Sequence, residues 1–441
     1  MSGPPSVLSH AVAGTPLATR LLVQGEPLFE RRGAELRRLD PSSAAARALA
    51  RVVASSRDAA RYLALRPALL ASVLAIDGSS LEARARNLRA AAPEGAAKDL
   101  EGFLDGLRLF RRDENLFAAC VDLGGFAPFE EISSFLSRVA EIVIDRALNA
   151  ALRIARGPDP PDLTVLAFGK LAGKEINYSS DLDLIFLYEG GPDAVFETSC
   201  VAQRLIHYLS TPTGAGVAYT VDTRLRPSGG QGMLVTSFDA YERYQLEEAR
   251  TWEHLALMRG RAVAGVVSRG GPLLGRIQDA VRERRISPWG EVARLRERIR
   301  VERTDDSPDS VPFKTGVGGL MDVDFLATGA QLERGTECPR PEYPAVPAHL
   351  QAVLQGSVVD GILEDYHLLR LVAARAGWVS GRSVEKLRRS DESLPIMAEL
   401  VEPDLSAPAL LDHLRSARSR VRNAIDSVLE AASITALDPR T

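Results

Sequence analysis

Two carboxylates, Asp181 and Asp183, stand two residues apart at the head of the run DLDLIFLY. Side chains on a strand alternate faces, so a strand begun here carries both carboxylates on one face. Leu182, Leu184, Ile185, Phe186 and Leu187 make the rest almost continuously apolar, as a strand covered on both faces requires. Two charges on such a strand need a partner. Hard carboxylate oxygens suit Mg²⁺, which takes one or two carboxylates and completes its octahedron with water and phosphate oxygens. The competing reading is a hairpin whose acidic residues are simply solvated.

The flanking residues extend the same chemistry. Gly169, Gly173 and the polar run Asn177 to Ser180 leave room for a phosphate chain to approach backbone N–H groups, and Lys170 and Lys174 add positive charge. Residues 216–222, GVAYTVD, alternate Val217, Tyr219 and Val221 with smaller or polar residues, the period of a strand, and end in a third carboxylate, Asp222. Three aspartates at strand ends would hold two metal ions around an in-line displacement at phosphorus, with Arg224 and Arg226 on a triphosphate. Both arginines serve equally well as salt-bridge partners of surface acids. His254 competes between a functional base and a packing residue, and Trp252 reads as core.

The elements that must position these residues follow from periodicity. A strand over the start of LTVLAF (163–168) leads through the glycine turn into the acidic strand. An amphipathic helix over 131–155 precedes it, broken by GPDPPD at 157–162, and a second helix carrying Val201, Leu205 and Leu209 follows, stopped by Pro212 and Gly214. Thr236 or Ser237 caps a helix holding Tyr241, Tyr244, Trp252 and His254. Residues 1–20 read as a loose arm, 26–120 as a helical region, Gly270 to Pro272 as a junction, and 291–304 as a charged, solvated helix. An acidic loop at 304–310 leads to the turn at Gly316, Gly318 and Gly319. Asp322 and Asp324 fall on a helix start, where the macrodipole alone favours acids. From 348 to 432 the pattern is helical throughout.

At 441 residues and 45% hydrophobic content, the chain can build two or three domains with substantial cores. A net charge of −4 offers no global basic field for nucleic acid, which disfavours an RNA-extending enzyme. Cys120, Cys200 and Cys338 are odd in number and widely spaced, so they read as buried thiols rather than a disulfide framework or zinc site. No long apolar run or signal-like segment occurs, which predicts a cytoplasmic protein without membrane contact.

GKLAGKEINYSSDLDLIFLY, VDTRLRPSGGQGMLVTS, TWEHLALMRGRAV and TGVGGLMDVDF together resemble the glutamine synthetase adenylyltransferase family, within the nucleotidyltransferase superfamily that includes DNA polymerase β. The likeness runs from about residue 100, at LRLFRRDENLFAACVDLGG, to about residue 335. Members commonly carry two modules in tandem, and TWEH (251–254) with GMLVTS (232–237) looks like the attaching, C-terminal one. Ala172 stands where GKLGG is usual, and DVDF at 322–325 replaces DIEF.

The resemblance implies an α+β fold: a polymerase-β-like nucleotidyltransferase domain with a small mixed sheet at 121–266, an N-terminal helical region at 1–120 and a C-terminal helical bundle at 267–441. It implies transfer of AMP from ATP to a tyrosine hydroxyl of glutamine synthetase, with Mg²⁺ on Asp181, Asp183 and Asp222. Gly169, Lys170, Ser180, Arg224 and Arg226 would bind the nucleotide, Gly169 and Ser180 gripping the β- and γ-phosphates. A PII-type signalling protein is a further implied partner. The alternatives are phosphorolytic removal of AMP, uridylylation of a signalling protein, and a binding module that keeps the fold without the chemistry. Three retained aspartates argue against the last, because buried charges are costly to keep unpaired.

Overall fold

Five strands make one small mixed sheet in this computed structural model, which describes residues 6–95, 99–154, 162–303, 307–353 and 357–437. They are β1 (Leu163–Phe168), β2 (Leu182–Tyr188), β3 (Val221–Asp222), β4 (Val235–Ser237) and β5 (Gly260–Gly265). β1 lies between β2 and β5, antiparallel to both, while β3 and β4 run parallel to β2 along its first and last residues. The remainder is mostly helical. The chain is α+β, as expected.

Strand parity sends each side of the sheet to a different core. Leu163, Val165 and Ala167 of β1 and Leu182, Leu184, Phe186 and Tyr188 of β2 join a core shared with the N-terminal helices. Leu166 and Phe168 with Ile185 and Leu187 face the opposite way, into a core built with helices from the C-terminal half. Burying each such side chain stabilises the fold by roughly 1.5–3 kcal/mol relative to exposure, so a one-residue slip of β2 is strongly opposed.

The helices that bracket the sheet follow the sequence closely. Phe129–Ile154 leads into β1, and Val195–Ser210 follows β2. Most of GPDPPD, 157–161, lies outside the described residues. The region 26–120 is helical, ending in the long helix Leu100–Leu123. Among the described residues no helix is long and apolar enough to cross a membrane.

Several expectations are corrected. Residues 6–20 are not a loose arm: helices Ser6–Ala11 and Leu17–Gln24 bury Leu8, Leu17 and Leu21 completely. The strand expected over 216–222 shrinks to Val221–Asp222, because Ala218 and Tyr219 both turn inward against Leu209, whose carbonyl accepts both backbone N–H groups, while Val217 is exposed. Gly270 to Pro272 is no junction but sits within helix Val267–Glu283. A Cβ on Gly270 would fall 2.3 Å from Thr164 Cγ2, so glycine is what lets that helix close on β1.

The helix expected to carry Tyr241 to His254 is three pieces, Phe238–Arg243 capped by Ser237, a π-helical turn Tyr244–Glu248 and Thr251–Leu257. The C-terminal region is not helical throughout: β7 (Lys386–Arg388) pairs antiparallel with β6 (Ser310–Pro312). Cys120 and Cys338 are buried, but Cys200 is half-buried. The charged helix, Trp289–Arg303, is not simply solvated, since Arg296 binds Asp322 and Asp426. Of the acidic loop, 304–306 lies outside the described residues.

Candidate active site

The parity of β2 decides where the acidic residues point. Asp183 precedes Ile185 by two residues and therefore shares the face turned toward the C-terminal helices. Asp222 on β3 is its register partner in the parallel ladder, anchored by the Leu182 N–H donating to Thr220 O at 2.9 Å. Asp181, just before β2, is exposed and borders the same cleft. Thus all three carboxylates expected from the sequence meet there.

Their proximity is felt by the one least exposed to water. Burial, then the charges of Asp181 and Asp222, push the Asp183 carboxyl up to about 6. Asp222 goes the other way: hydrogen bonds from Arg224 hold it below the usual carboxylate range. Arg224 Nε donates to both Asp222 oxygens, at 3.0 and 2.8 Å, so this arginine both lines the cleft and neutralises a carboxylate.

The glycine turn closes on the same carboxylate. Gly169 has φ +56°, and a Cβ there would sit 3.3 Å from Asp183 Oδ2, so both backbone and space call for glycine. Lys170 is half-buried in the cleft and makes no ion pair among the described residues. Burial and the neighbouring charge of Lys314 bring its amine down to about 8, against the pull of Asp181 and Asp183. Lys314, 3.7 Å from Glu385, and Arg370, bonded to the Ser133 hydroxyl and 3.7 Å from Glu175, add a cationic wall to the same cleft.

Beneath the turn lies a buried ion network. The Arg259 guanidinium donates from Nη1 to Asp324 at 2.7 Å, from Nη2 to Gly169 O at 3.1 Å and to Glu175, and from Nε to Pro344 O at 3.1 Å. Glu175 also accepts from Tyr366 OH at 3.0 Å and from the Val346 N–H at 3.2 Å. The Gly169 N–H donates back to Arg259 O at 3.1 Å. Arg259 therefore grips the turn from both sides.

Other expected residues take different places. The Ser180 hydroxyl is engaged with Asn177, accepting from its N–H at 2.9 Å and donating to its Oδ1 at 3.0 Å, so it shapes the loop rather than facing the cleft. Arg226 donates to Thr223 and to the carbonyls of Gly230 and Gly232, bracing its own loop. Lys174 lies over the Tyr343 ring, 3.7 Å from its centre. His254 is buried with Nε2 on Gln245 O, a packing role. Trp252 is half-buried and lines a cleft instead of the core. Asp322 accepts from the Gly318 N–H at 2.8 Å and pairs with Arg296, a helix-start role, while Asp324 faces the cleft.

Sequence reasoning missed Arg259, Glu175, Lys314 and Arg370. Arg259 lies inside the quoted TWEHLALMRGRAV, where an arginine entering an apolar strand was the available signal. Arg370 had none, because it reaches the cleft from a helix far along the chain.

Among the described residues no three acidic, histidine or cysteine side chains draw close enough to hold an ion unaided. The donor set nevertheless suits Mg²⁺, which ordinarily takes one or two carboxylates and leaves its other positions to water and substrate phosphates. The crowding that raises Asp183 is what a divalent cation would relieve.

Comparison with known proteins bears on the same residues. A family described as glutamate-ammonia ligase adenylyltransferase matches residues 46–270, a span that includes the turn, the three carboxylates and Arg259. Similar chains include a bifunctional glutamine synthetase adenylyltransferase/adenylyl-removing enzyme of Thioalkalivibrio sulfidiphilus, 34% identical over 60% of this chain and 30% of its own length. Proteins of the same name from Aromatoleum aromaticum and Nitrosococcus oceani are 34% and 33% identical, over 72% and 74% of this chain and 35% and 37% of their own. The chain spans about a third of the length of the curated relatives it matches.

Proposed function

The chain belongs to the glutamate-ammonia ligase adenylyltransferase family, and from that premise we propose that its cleft transfers AMP from ATP to a tyrosine hydroxyl of glutamine synthetase. The observation that carries this reading is the Asp183–Asp222 register pair sharing one cleft with Lys170, Lys314 and Arg370. We assign a polymerase-β-like nucleotidyltransferase domain to about 121–266, with Lys314 and Arg370 reaching in from beyond it. Asp181 and Asp183 would hold Mg²⁺ on the triphosphate and Asp222 would share a second ion; the metal when bound neutralises phosphate charge and favours ionisation of the attacking tyrosine, ordinarily near a pKa of about 10.

The remaining roles fall to the chain's own groups. Lys170, Lys314 and Arg370 balance the triphosphate, and Gly169 keeps the turn close enough for its backbone to meet it. The tyrosine oxygen bonds to the α-phosphorus as the bridging oxygen leaves with pyrophosphate, and the phenolic proton passes to water. No covalent enzyme intermediate is needed, so the residues act by positioning and charge. Arg224 must give up Asp222 for that carboxylate to serve.

Purified protein given ATP, Mg²⁺ and unmodified glutamine synthetase should add the mass of one AMP per modified subunit and release pyrophosphate. The relatives' names also include adenylyl removal, which the same carboxylates suit. The likeness of TWEH and GMLVTS to the attaching module favours addition. Incubation of modified synthetase with phosphate should therefore yield little ADP, and efficient phosphorolysis without attachment would reverse the assignment.

Asp222 offers a sharper probe of its own role. Asp222→Ala should leave ATP affinity within about tenfold, because Asp181, Asp183 and the cationic wall still face the triphosphate, yet suppress transfer far more. Calorimetry with a non-hydrolysable ATP analogue beside the transfer assay reads the two quantities. Equal, modest losses in both would make Asp222 a strand-end residue held by Arg224.

A further inference from the structure

The carboxylates stand where two clefts meet. Gly169, Asp183, Asp222, Arg224, Arg259 and Asp324 form a shared wall. On one side the cleft continues past Asp181, Lys170, Lys314 and Arg370. On the other it runs between helices Thr251–Leu257, Trp289–Arg303 and Leu320–Arg334, over Phe168, Leu225, Trp252, Leu255, Ile299 and Phe325. That second branch is mainly apolar. Beyond the shared wall its one lysine or arginine among the described residues is Arg298, which is exposed.

We propose that this apolar branch seats the aromatic ring of the acceptor tyrosine, presented on a protein segment, while the cationic branch takes the triphosphate. The proposal rests on the AMP-transfer reading above and names the place of its second substrate. In-line displacement requires the leaving pyrophosphate and the entering oxygen on opposite sides of the phosphorus, so an active site of this kind needs two approaches to its carboxylates. The two branches differ in the manner the two groups differ. A highly charged pyrophosphate calls for cations, and a phenol ring calls for apolar and aromatic walls with one polar contact at its hydroxyl.

Adenine is the rival occupant, and the chemistry of the wall disfavours it. Its ring nitrogens and amino group need partners when taken from water. Away from the shared wall, the polar side chains of this branch are Thr328, whose hydroxyl already donates to the Asp324 carbonyl at 2.8 Å, Trp252, and the exposed Arg298 and Glu302. A phenol makes no such demand along its ring. The mouth also suits a protein segment: Arg298 and Glu302, both exposed, put charges of both signs where the branch opens to solvent.

The test compares wild type with Trp252→Ala and Trp252→Phe in transfer assays that vary glutamine synthetase and ATP separately, with calorimetry of a non-hydrolysable ATP analogue. Trp252→Ala should raise the KM for glutamine synthetase roughly ten- to a hundredfold, the range for losing a central aromatic contact. ATP-analogue affinity should stay within about twofold, and Trp252→Phe should recover most of the loss. A fall in analogue affinity with an unchanged KM for glutamine synthetase would put adenine in the branch and overturn the proposal. Unchanged values for both substrates would overturn it too, as would a loss that Phe does not recover in a protein with wild-type melting. Wild-type protein that fails to modify glutamine synthetase at all would instead sink the functional reading itself.

Discussion

Replacing Asp183 by Asn should lower the proposed AMP transfer by more than about a hundredfold, the scale of losing a principal electrostatic element at a reacting phosphate, and at the same time raise the melting temperature of the metal-free protein. The two effects have one source. In the fold Asp183 is crowded by burial and by Asp181 and Asp222, which push its carboxyl from 3.8 up to about 6. A carboxyl whose folded value exceeds its unfolded value costs stability once it ionises: the cost is absent below about pH 4, grows as pH rises toward 6, and is complete above it. Asn removes that cost. The variant should melt a few degrees higher than wild type at pH 8 with chelator present, and the gap should close near pH 4. Asp181→Asn should lose activity on the same scale. Transfer near wild type in both variants would remove the carboxylates from the chemistry, and an Asp183→Asn protein that melts lower at pH 8 would contradict the crowding.

Arg259→Met should cost about 3–5 kcal/mol, the loss expected when one partner of a buried ion pair is removed and the other stays charged. Burial alone works against the guanidinium's charge, and Asp324 and Glu175 outweigh it. Without Arg259, Glu175 keeps Tyr366, the Val346 N–H and Arg370 at 3.7 Å, too little to offset its desolvation. At about 2–4 °C per kcal/mol for a large domain, the melting point should drop by roughly 10 °C. The double variant Arg259→Met/Glu175→Met should recover part of that, because the Glu175 charge is no longer stranded, while Arg370 gives up its ion pair and keeps the Ser133 hydroxyl and the Glu175 backbone carbonyl. Urea denaturation of the two singles and the double gives the coupling, and additive losses would show that the pair acts as two independent residues.

Local chemistry was readable where the chain carries its own signal. The apolar run after Asp183 and the spacing of helices 129–154 and 195–210 are local patterns, and the structure contains them. What was misread depends on distant neighbours. Ala218 and Tyr219 obey the carbonyl of Leu209 rather than strand alternation. Gly270 and Pro272 look like a break, yet Thr164 needs a glycine above it. The first twenty residues look too rich in small side chains and proline to pack, but Leu8 and Leu17 find a core made by helices that follow. Ser180 and Arg226 differ in that their bonds are local, to Asn177 and Thr223 three residues away in their own loops. The cationic wall was only partly legible, since Lys170 neighbours the turn in sequence whereas Lys314 and Arg370 meet it only through folding.

The network under the Gly169 turn also sets an order of events during synthesis. Glu175 and Arg259 leave the ribosome well before Pro344, Val346, Tyr366 and Arg370, the groups that complete their hydrogen bonds. Until then both charges must stay hydrated, so the sheet cannot dry its lower face while the chain is still being extended. With contacts this distant in sequence, final closure is a late and slow step. Ile185 and Leu187 pack with residues as late as Tyr366 and Leu369, so the apolar face of β2 gains its full cover only after those residues have been made.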